Sequence, residues 1–149
     1  VRRLKSVGDP AMSPNGTRLA YTLSWVDQEQ LEGRSCIMML DLHSDRTHQF
    51  TQGTRDSAPK FSPDGGTLAF FRADDHGRRQ VWHMPMDGGE AQPLTHAPLG
   101  VSDYTWSPDS SRMVFCADVD PEPPEERDDS PSAPTVRVVR RIRYRYDTR

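Results

Sequence analysis

Cysteine is scarce in this chain of 149 residues, which has only Cys36 and Cys116. Two cysteines are too few for the disulfide framework of a small secreted domain. They fall in the first and third of three sequence repeats, whereas a disulfide needs Cα atoms within about 7 Å. We therefore expect two reduced thiols buried in strands, and a reducing cytoplasm as the location.

Long apolar runs and a strong net charge are also missing. No stretch approaches the roughly 18 apolar residues of a membrane span, and residues 1–5 lack the apolar core of a signal peptide. A net charge of −3 gives no general reason to expect nucleic acid as a partner. These absences predict a protein that binds neither membranes nor nucleic acid.

Catalytic motifs are absent as well. There is no Gly-x-Ser-x-Gly nucleophile elbow, and Ser57 and Ser102 fall in predicted connections between repeats without flanking glycines. The five histidines lack the paired spacing of a metal site. Asp74 and Asp75 precede a glycine in a predicted hairpin tip, where they serve turn geometry. We expect no catalytic residue, no metal and no cofactor in this chain.

What the chain does contain is a nine-residue pattern repeated three times, at residues 13–21, 62–70 and 107–115. The copies start 49 and 45 residues apart, a period typical of stacked four-stranded blades. Each copy opens with Ser-Pro and then Asn or Asp, which favours a tight reversal between two strands. Asn15 replaces Asp in the first copy and Ser110 replaces Gly in the third, and both residues still suit a turn.

Short apolar runs follow each turn, for example Leu68-Ala69-Phe70-Phe71. Because these runs do not alternate strictly, they indicate strands covered on both faces by neighbouring sheets. Residues 26–31 are expected in a long hairpin tip rather than a helix. The pattern predicts an all-β fold, a partial β-propeller of about three four-stranded blades at residues 9–51, 56–95 and 101–149, the third incomplete.

Two features set the third blade apart. Residues 121–134 are rich in proline and acidic residues and lack large apolar side chains, so we expect a mobile, disordered acidic loop at residues 119–134. Three blades fall short of a closed ring, and the chain stops inside a predicted strand, so we expect a fragment of a longer protein.

Arginine alternates with apolar residues from Val136 to Tyr146, with a single break at Val139-Arg140. This period of two predicts a strand with one cationic face. Ion pairs with the seven carboxylates between Asp118 and Asp129 would explain that face. The alternatives are a contact with a carboxylate-bearing substrate or with an acidic surface of another domain, for which Arg141, Arg143 and Arg145 are the candidate residues. A contact with nucleic acid is disfavoured, because only one strand is basic.

The repeats resemble those of the Tol-system periplasmic propeller and of the prolyl oligopeptidase family of serine peptidases. The stretch from Ser6 to Pro14, the segment from Thr51 to Pro59, the second Ser-Pro-Asp-Gly and the run from Arg141 to Asp147 are most similar to the N-terminal propeller of the acylaminoacyl-peptidase branch. The resemblance covers nearly the whole chain outside the acidic loop.

The resemblance implies a propeller that caps a C-terminal α/β-hydrolase domain of the same parent chain and admits only short peptides or acyl-peptides. The catalytic residues of that family lie in the hydrolase domain, and no position here can receive them. A non-enzymatic interaction propeller like the Tol-system protein is the alternative. Because a partial ring leaves apolar faces open, around Leu19 to Tyr21 at one end and Phe115, Tyr144 and Tyr146 at the other, we expect the isolated chain to self-associate.

Overall fold

The computed structural model describes residues 4–120 and 142–147, in which eleven strands and no helix are found. The predicted all-β fold is confirmed. The first sheet comprises β1 (Lys5–Met12), β2 (Arg18–Asp27), β3 (Glu32–Asp41) and β4 (Arg46–Gln49), and the second comprises β5 (Asp56–Phe61), β6 (Thr67–Ala73), β7 (Arg79–Pro85) and β8 (Gln92–Pro93). The third comprises β9 (Val101–Trp106), β10 (Arg112–Ala117) and β11 (Ile142–Asp147).

Each sheet is an antiparallel meander in chain order, so the molecule is a partial propeller of three blades. The first sheet starts at Lys5, four residues before the expected blade boundary. β2 and β3 pair out to Asp27 and Glu32, so the expected hairpin tip is shorter and spans only residues 28–31. The cross-strand pairing continues because Val26 has strong β-propensity. The expected acidic loop lies outside the described residues from residue 121 onward.

Each blade has two packing faces. We call the side that meets the preceding blade the leading face and the side that meets the following blade the trailing face. Between the first two blades, the trailing residues Ala20, Ile37 and Met39 pack with the leading residues Leu68 and Phe70. Between the second and third blades, the trailing residues Ala69, Phe71 and Val81 pack with the leading residues Tyr104, Met113 and Phe115.

The apolar run of β6 therefore serves two interfaces. Leu68, Ala69 and Phe70 are each 0% exposed and Phe71 is 4% exposed, with alternate residues in the two core clusters. This confirms the sequence interpretation of a strand covered on both sides, and it explains why the run does not alternate with polar residues.

The end of each of the first two blades is fixed by a threonine. The Ile37 N–H donates to Thr51 Oγ1 at 3.1 Å, and the Val81 N–H donates to Thr95 Oγ1 at 2.9 Å. Both threonines are buried. They satisfy a backbone donor of the third strand at the point where the short fourth strand has ended.

Within residues 4–120 and 142–147, no helix has the length and apolar character needed to cross a membrane.

Candidate functional site

The strand with the candidate arginines forms the outer edge of the third sheet in the described structure. β11 pairs antiparallel with β10, and Arg143 and Arg145 are the register partners of Cys116 and Val114. Arg141 lies outside the described residues. The structure thus places two of the three candidates at alternate positions of one strand. Their contact with a substrate or another domain stays a prediction.

Ser57 and Ser102 are not in connections, as the sequence suggested, but in the innermost strands β5 and β9. The inner strand of each blade begins directly after the connection from the preceding blade. It therefore starts before the apolar residues by which the strand can be recognised in the sequence. Ser102 Oγ donates to the carbonyl oxygen of Cys116 at 3.2 Å, which is a structural contact. Asp74 Oδ1 accepts from the N–H groups of His76 and Arg78, as expected for a turn.

The surroundings of the two cysteines and of His83 are those of structural residues. Both cysteines are free thiols, with Cys36 buried and Cys116 only partly buried, so the expectation of full burial holds for one of them. Burial raises the pKa of Cys36 and lowers the pKa of His83. Among the described residues, no group of three or more potential ligands could hold a metal ion.

Sequence reasoning missed a buried ion pair on the leading face of the second blade. Asp56 is 0% exposed, and its Oδ1 and Oδ2 accept from Arg72 Nε at 2.7 Å and from Arg72 Nη2 at 3.0 Å. The guanidinium lies 4.6 Å from the ring centroid of Trp82. A Cβ at Gly53 would lie 2.3 Å from this carboxylate, so glycine is required there.

The inner strands of the second and third blades are joined by polar contacts. Tyr104 Oη donates to the carbonyl oxygen of Ala58 at 2.6 Å, and Trp106 Nε1 donates to that of Lys60 at 3.2 Å. The Lys60 ammonium lies 4.5 Å from the Tyr104 ring centroid, and burial raises the pKa of Tyr104. These contacts hold the blades together and leave the tyrosine a hydrogen-bond donor.

A β-bulge recurs in the inner strand of every blade, between Gly8 and Ala11, between Ser57 and Lys60, and opposite Cys116 and Ala117. In the first bulge, Asp9 has a φ of 50° and its Oδ2 accepts from Thr22 Oγ1 at 2.9 Å and from the Ala58 N–H at 3.3 Å. Asp9 therefore connects two blades. The Asp-Pro and Ala-Pro pairs at the first two bulges were the only signal in the sequence.

The Ser-Pro turns share one hydrogen-bond circuit. In the second turn the Ser62 hydroxyl donates to Asp64 Oδ1 at 2.6 Å and accepts from the Thr67 N–H at 3.0 Å. The corresponding serines donate to Asn15 Oδ1 at 2.7 Å and to Asp109 Oδ1 at 2.5 Å. The Ser62 hydroxyl holds the pKa of Asp64 below its usual range, and the Ser107 and Ser111 donors lower the pKa of Asp109 to about 2.

The two replacements in the repeat keep this circuit, as the sequence predicted. Asn15 accepts the same serine hydroxyl, and Ser110 has a φ of 61° where Gly16 and Gly65 have 70° and 75°. Ser110 adds a contact that the sequence did not suggest. Its Oγ accepts from the Asp64 N–H at 2.9 Å and so links the third turn to the second.

The repeated sheets and turns match one known family. The TolB beta propeller domain matches residues 3–123. The chain belongs to this family. It is 38% identical over 115 residues to the uncharacterized peptidase YuxL of Bacillus subtilis, a match that covers 76% of this chain and 18% of YuxL. It is 24% identical over 143 residues to dipeptidyl-peptidase 5 of Porphyromonas endodontalis, covering 94% of this chain and 20% of that protein.

The Tol-Pal system protein TolB of Rhizorhabdus wittichii is 36% identical over 59 residues, which covers 39% of this chain and 13% of TolB. Among solved structures, the acylaminoacyl peptidase of Pyrococcus horikoshii superposes with a TM-score of 0.66 at 22% identity, covering 76% of this chain and 17% of that one. The predicted relationship to the propellers of prolyl-oligopeptidase-type peptidases is confirmed. The chain spans about a fifth of the length of the curated peptidases that it matches.

Proposed function

We propose that this chain is the substrate-gating propeller of a serine peptidase that acts on short peptides or acyl-peptides. The observation that supports this most is the extent of the matches. The match to YuxL covers 76% of the chain and the match to dipeptidyl-peptidase 5 covers 94%, whereas the match to TolB covers 39%. A single shared repeat unit would explain the shorter match, but not the longer ones.

In this proposal the blades supply access control and the chemistry resides in an α/β-hydrolase domain of the same parent chain. A propeller over a catalytic face excludes folded proteins and helps to exclude water. Its contacts also orient a short substrate for attack, which lowers the entropic part of the barrier. The inter-blade contacts of Asp9, Ser110 and Tyr104 support a rigid wall of this kind.

The second candidate is a non-enzymatic interaction propeller. The family description and the match to TolB favour it. The two candidates differ in what the encoding gene contains. A Gly-x-Ser-x-Gly motif several hundred codons downstream supports the peptidase, and a gene that encodes only further propeller repeats overturns it.

Deletion of the propeller tests the gating role itself. The whole gene product should cleave chromogenic dipeptide or acyl-amino-acid substrates but not a folded protein such as serum albumin. A version that lacks every blade of the propeller and keeps a folded hydrolase domain should lose this size discrimination. Equal discrimination with and without the propeller would contradict the gating proposal while leaving the peptidase assignment intact.

The 149-residue chain alone should show no activity. We expect it neither to hydrolyse those substrates nor to react with a fluorophosphonate serine probe, because no nucleophile elbow is present in its sequence. Covalent labelling of the pure chain would contradict this. We also propose a cytoplasmic location, supported by the two free cysteines, and fractionation of the source cells would test it.

A further inference from the structure

Asn15 is the only asparagine in the sequence, and a glycine follows it. Glycine has no Cβ, so no side chain hinders the approach of the Gly16 nitrogen to the Asn15 carboxamide. Both residues are exposed, and a Cβ at Gly16 would meet no atom within 4 Å. The first turn therefore places a reactive amide next to a backbone nucleophile, at a point that water can reach.

The second and third turns lack the features that this reaction needs. Asp64 precedes Gly65, but the Ser62 hydroxyl holds the pKa of Asp64 below its usual range, and an ionised carboxylate is a poor electrophile. Asp109 is ionised as well, with a pKa of about 2, and it is followed by Ser110, which has a Cβ. Of the three turns, the first alone combines a neutral carboxamide with a following glycine.

The hydrogen bonds of the folded turn oppose the reaction. Asn15 Oδ1 accepts from Ser13 Oγ at 2.7 Å, from Thr17 Oγ1 at 2.8 Å and from the Thr17 N–H at 3.2 Å. The Gly16 N–H donates to the Ser13 carbonyl oxygen at 2.9 Å. The nitrogen must lose this proton before it can attack, and ring closure changes the orientation of the carboxamide that the three donors fix. The reaction therefore requires local opening of the turn.

We propose that Asn15 is a site of spontaneous deamidation whose rate is set by opening of the first turn. The Gly16 nitrogen forms a bond to Asn15 Cγ, and the carboxamide NH2 leaves with the Gly16 proton as ammonia, which gives a succinimide ring. Water then opens the ring at either carbonyl carbon and yields aspartate or isoaspartate. The reaction needs no oxidant or reductant, and it holds whether or not the parent protein is a peptidase.

The two products affect the turn differently. Aspartate at position 15 gives the first turn the Ser-Pro-Asp-Gly sequence of the second, in which Asp64 Oδ1 accepts from the Ser62 hydroxyl at 2.6 Å. Isoaspartate lengthens the backbone by one carbon atom, so the hydrogen bond from Gly16 to Ser13 loses its geometry. The aspartate product should therefore keep the fold, and the variant N15D supplies a standard for it in ion-exchange chromatography.

Peptide mapping by mass spectrometry measures the exchange of NH2 for OH at Asn15. The full chain and a synthetic peptide of residues 11–20 are incubated side by side at mildly alkaline pH. We expect both to convert at Asn15, with the folded chain about tenfold slower than the peptide and the urea-unfolded chain as fast as the peptide. Equal rates for the folded chain and the peptide would overturn the proposal. An Asn15 that stays intact in the folded chain through about a hundred half-lives of the peptide would also overturn it.

Two serine variants test whether the first turn sets the rate. Ser13→Ala removes the hydroxyl that donates to Asn15 Oδ1 and accepts from the Arg18 N–H at 2.9 Å. Opening becomes easier, so deamidation should be at least about fivefold faster. Ser107→Ala makes the same change in the third turn and should leave the rate at Asn15 unaltered. Slower deamidation in Ser13→Ala, or equal acceleration by both variants, would overturn the proposal.

A third variant tests the attack by the Gly16 nitrogen. Gly16→Ser copies the third turn, where Ser110 has a φ of 61°, so the turn can accommodate it. The added Cβ hinders the attacking nitrogen, and deamidation should be severalfold slower than in the unaltered chain. An unchanged rate would overturn the proposal. Circular dichroism and thermal unfolding establish that each variant is folded.

Discussion

Ser110 lies at the left-handed position of the third turn, with a φ of 61°, where the other two turns have glycine. A side chain in this conformation costs about 1 kcal/mol. The Ser110 hydroxyl offsets part of that cost because it accepts a hydrogen bond from the Asp64 N–H at 2.9 Å. Backbone strain and a contact between blades therefore oppose each other at one residue.

The two effects can be separated by replacing Ser110. Ser110→Ala keeps the strained φ and loses the acceptor, so we expect it to lower the free energy of unfolding by about 0.5–1 kcal/mol. Ser110→Gly loses the acceptor but relieves the strain, so it should be as stable as the unaltered chain. Urea denaturation measures both. An alanine variant that is at least as stable as the glycine variant would contradict this account.

Replacement of Arg72 should be strongly destabilising. Arg72→Met keeps an apolar stem beside Trp82 but leaves the Asp56 carboxylate buried and unpaired. We expect a loss of about 3 kcal/mol or more in the free energy of unfolding. Arg55→Gln is the control, because the Arg55–Glu32 pair is more exposed and should contribute at most about 1 kcal/mol. Equal losses for the two variants would show that the Asp56–Arg72 pair has no special role.

Ser110 and Arg72 show which kinds of contact can be predicted from the sequence and which cannot. The turn chemistry of Asn15 and Ser110 could be predicted, because it depends on residues next to each other in the chain. The bond from Asp64 to Ser110 and the Asp56–Arg72 pair could not be, because both depend on which turns and strands meet in space. The need for glycine at position 53 could not be predicted either. It arises from the Asp56 carboxylate, three residues further along the chain, which folds back over Gly53.

At the scale of single elements, the three turns should respond differently to acid. Asp109 has a pKa of about 2 in the folded chain, below its ordinary value near 4. A group with a lowered pKa stabilises the fold at pH values above its ordinary pKa, and that contribution is lost as the pH falls from about 4 through about 2. Asn15, at the same position of the first turn, does not titrate.

The variant D109N makes the third turn resemble the first. We expect the unaltered chain to be more stable than D109N above pH 4, and the difference to shrink as the pH approaches 2. Urea denaturation at a series of pH values measures it, and carboxyl carbon NMR gives the pKa of Asp109 directly. Titration of Asp109 near pH 4 would remove the basis of the prediction.

The strands also differ in how well they could be predicted from the sequence. The second strand of each blade was evident, because apolar runs such as Leu68 to Phe71 are buried on both faces. The start of β1 was predicted four residues too late, because all residues of this strand except Ala11 are exposed and its sequence has no apolar periodicity. Its pairing with β2, from Lys5 opposite Trp25, comes from the neighbouring strand rather than from its own composition.

At the scale of the whole molecule, the leading face of the first blade is left open. Met12, Leu19 and Tyr21 correspond to Phe61, Leu68 and Phe70, which pack against the first blade. In the described structure Val7 is 68% exposed and Met12 is 53% exposed. The same face that is core in the second blade is thus surface in the first.

This open face should make the isolated chain self-associate. Burial of apolar surface contributes about 25 cal/mol per Å2 before the entropy of association is subtracted. Because the leading face is apolar, we expect two leading faces to pair with each other, which closes at a dimer. Sedimentation equilibrium at tens of micromolar measures the mass.

Replacement of the exposed apolar residues locates the contact. V7E/M12E places charges on the leading face and should shift the chain to monomer without unfolding it. Leu31→Glu is the control, because Leu31 is 83% exposed at the hairpin tip, away from that face. It should leave the dimer intact. A monomeric unaltered chain that binds no hydrophobic dye would mean that the leading face is already covered, and dissociation by the Leu31 variant alone would place the contact at the tip instead.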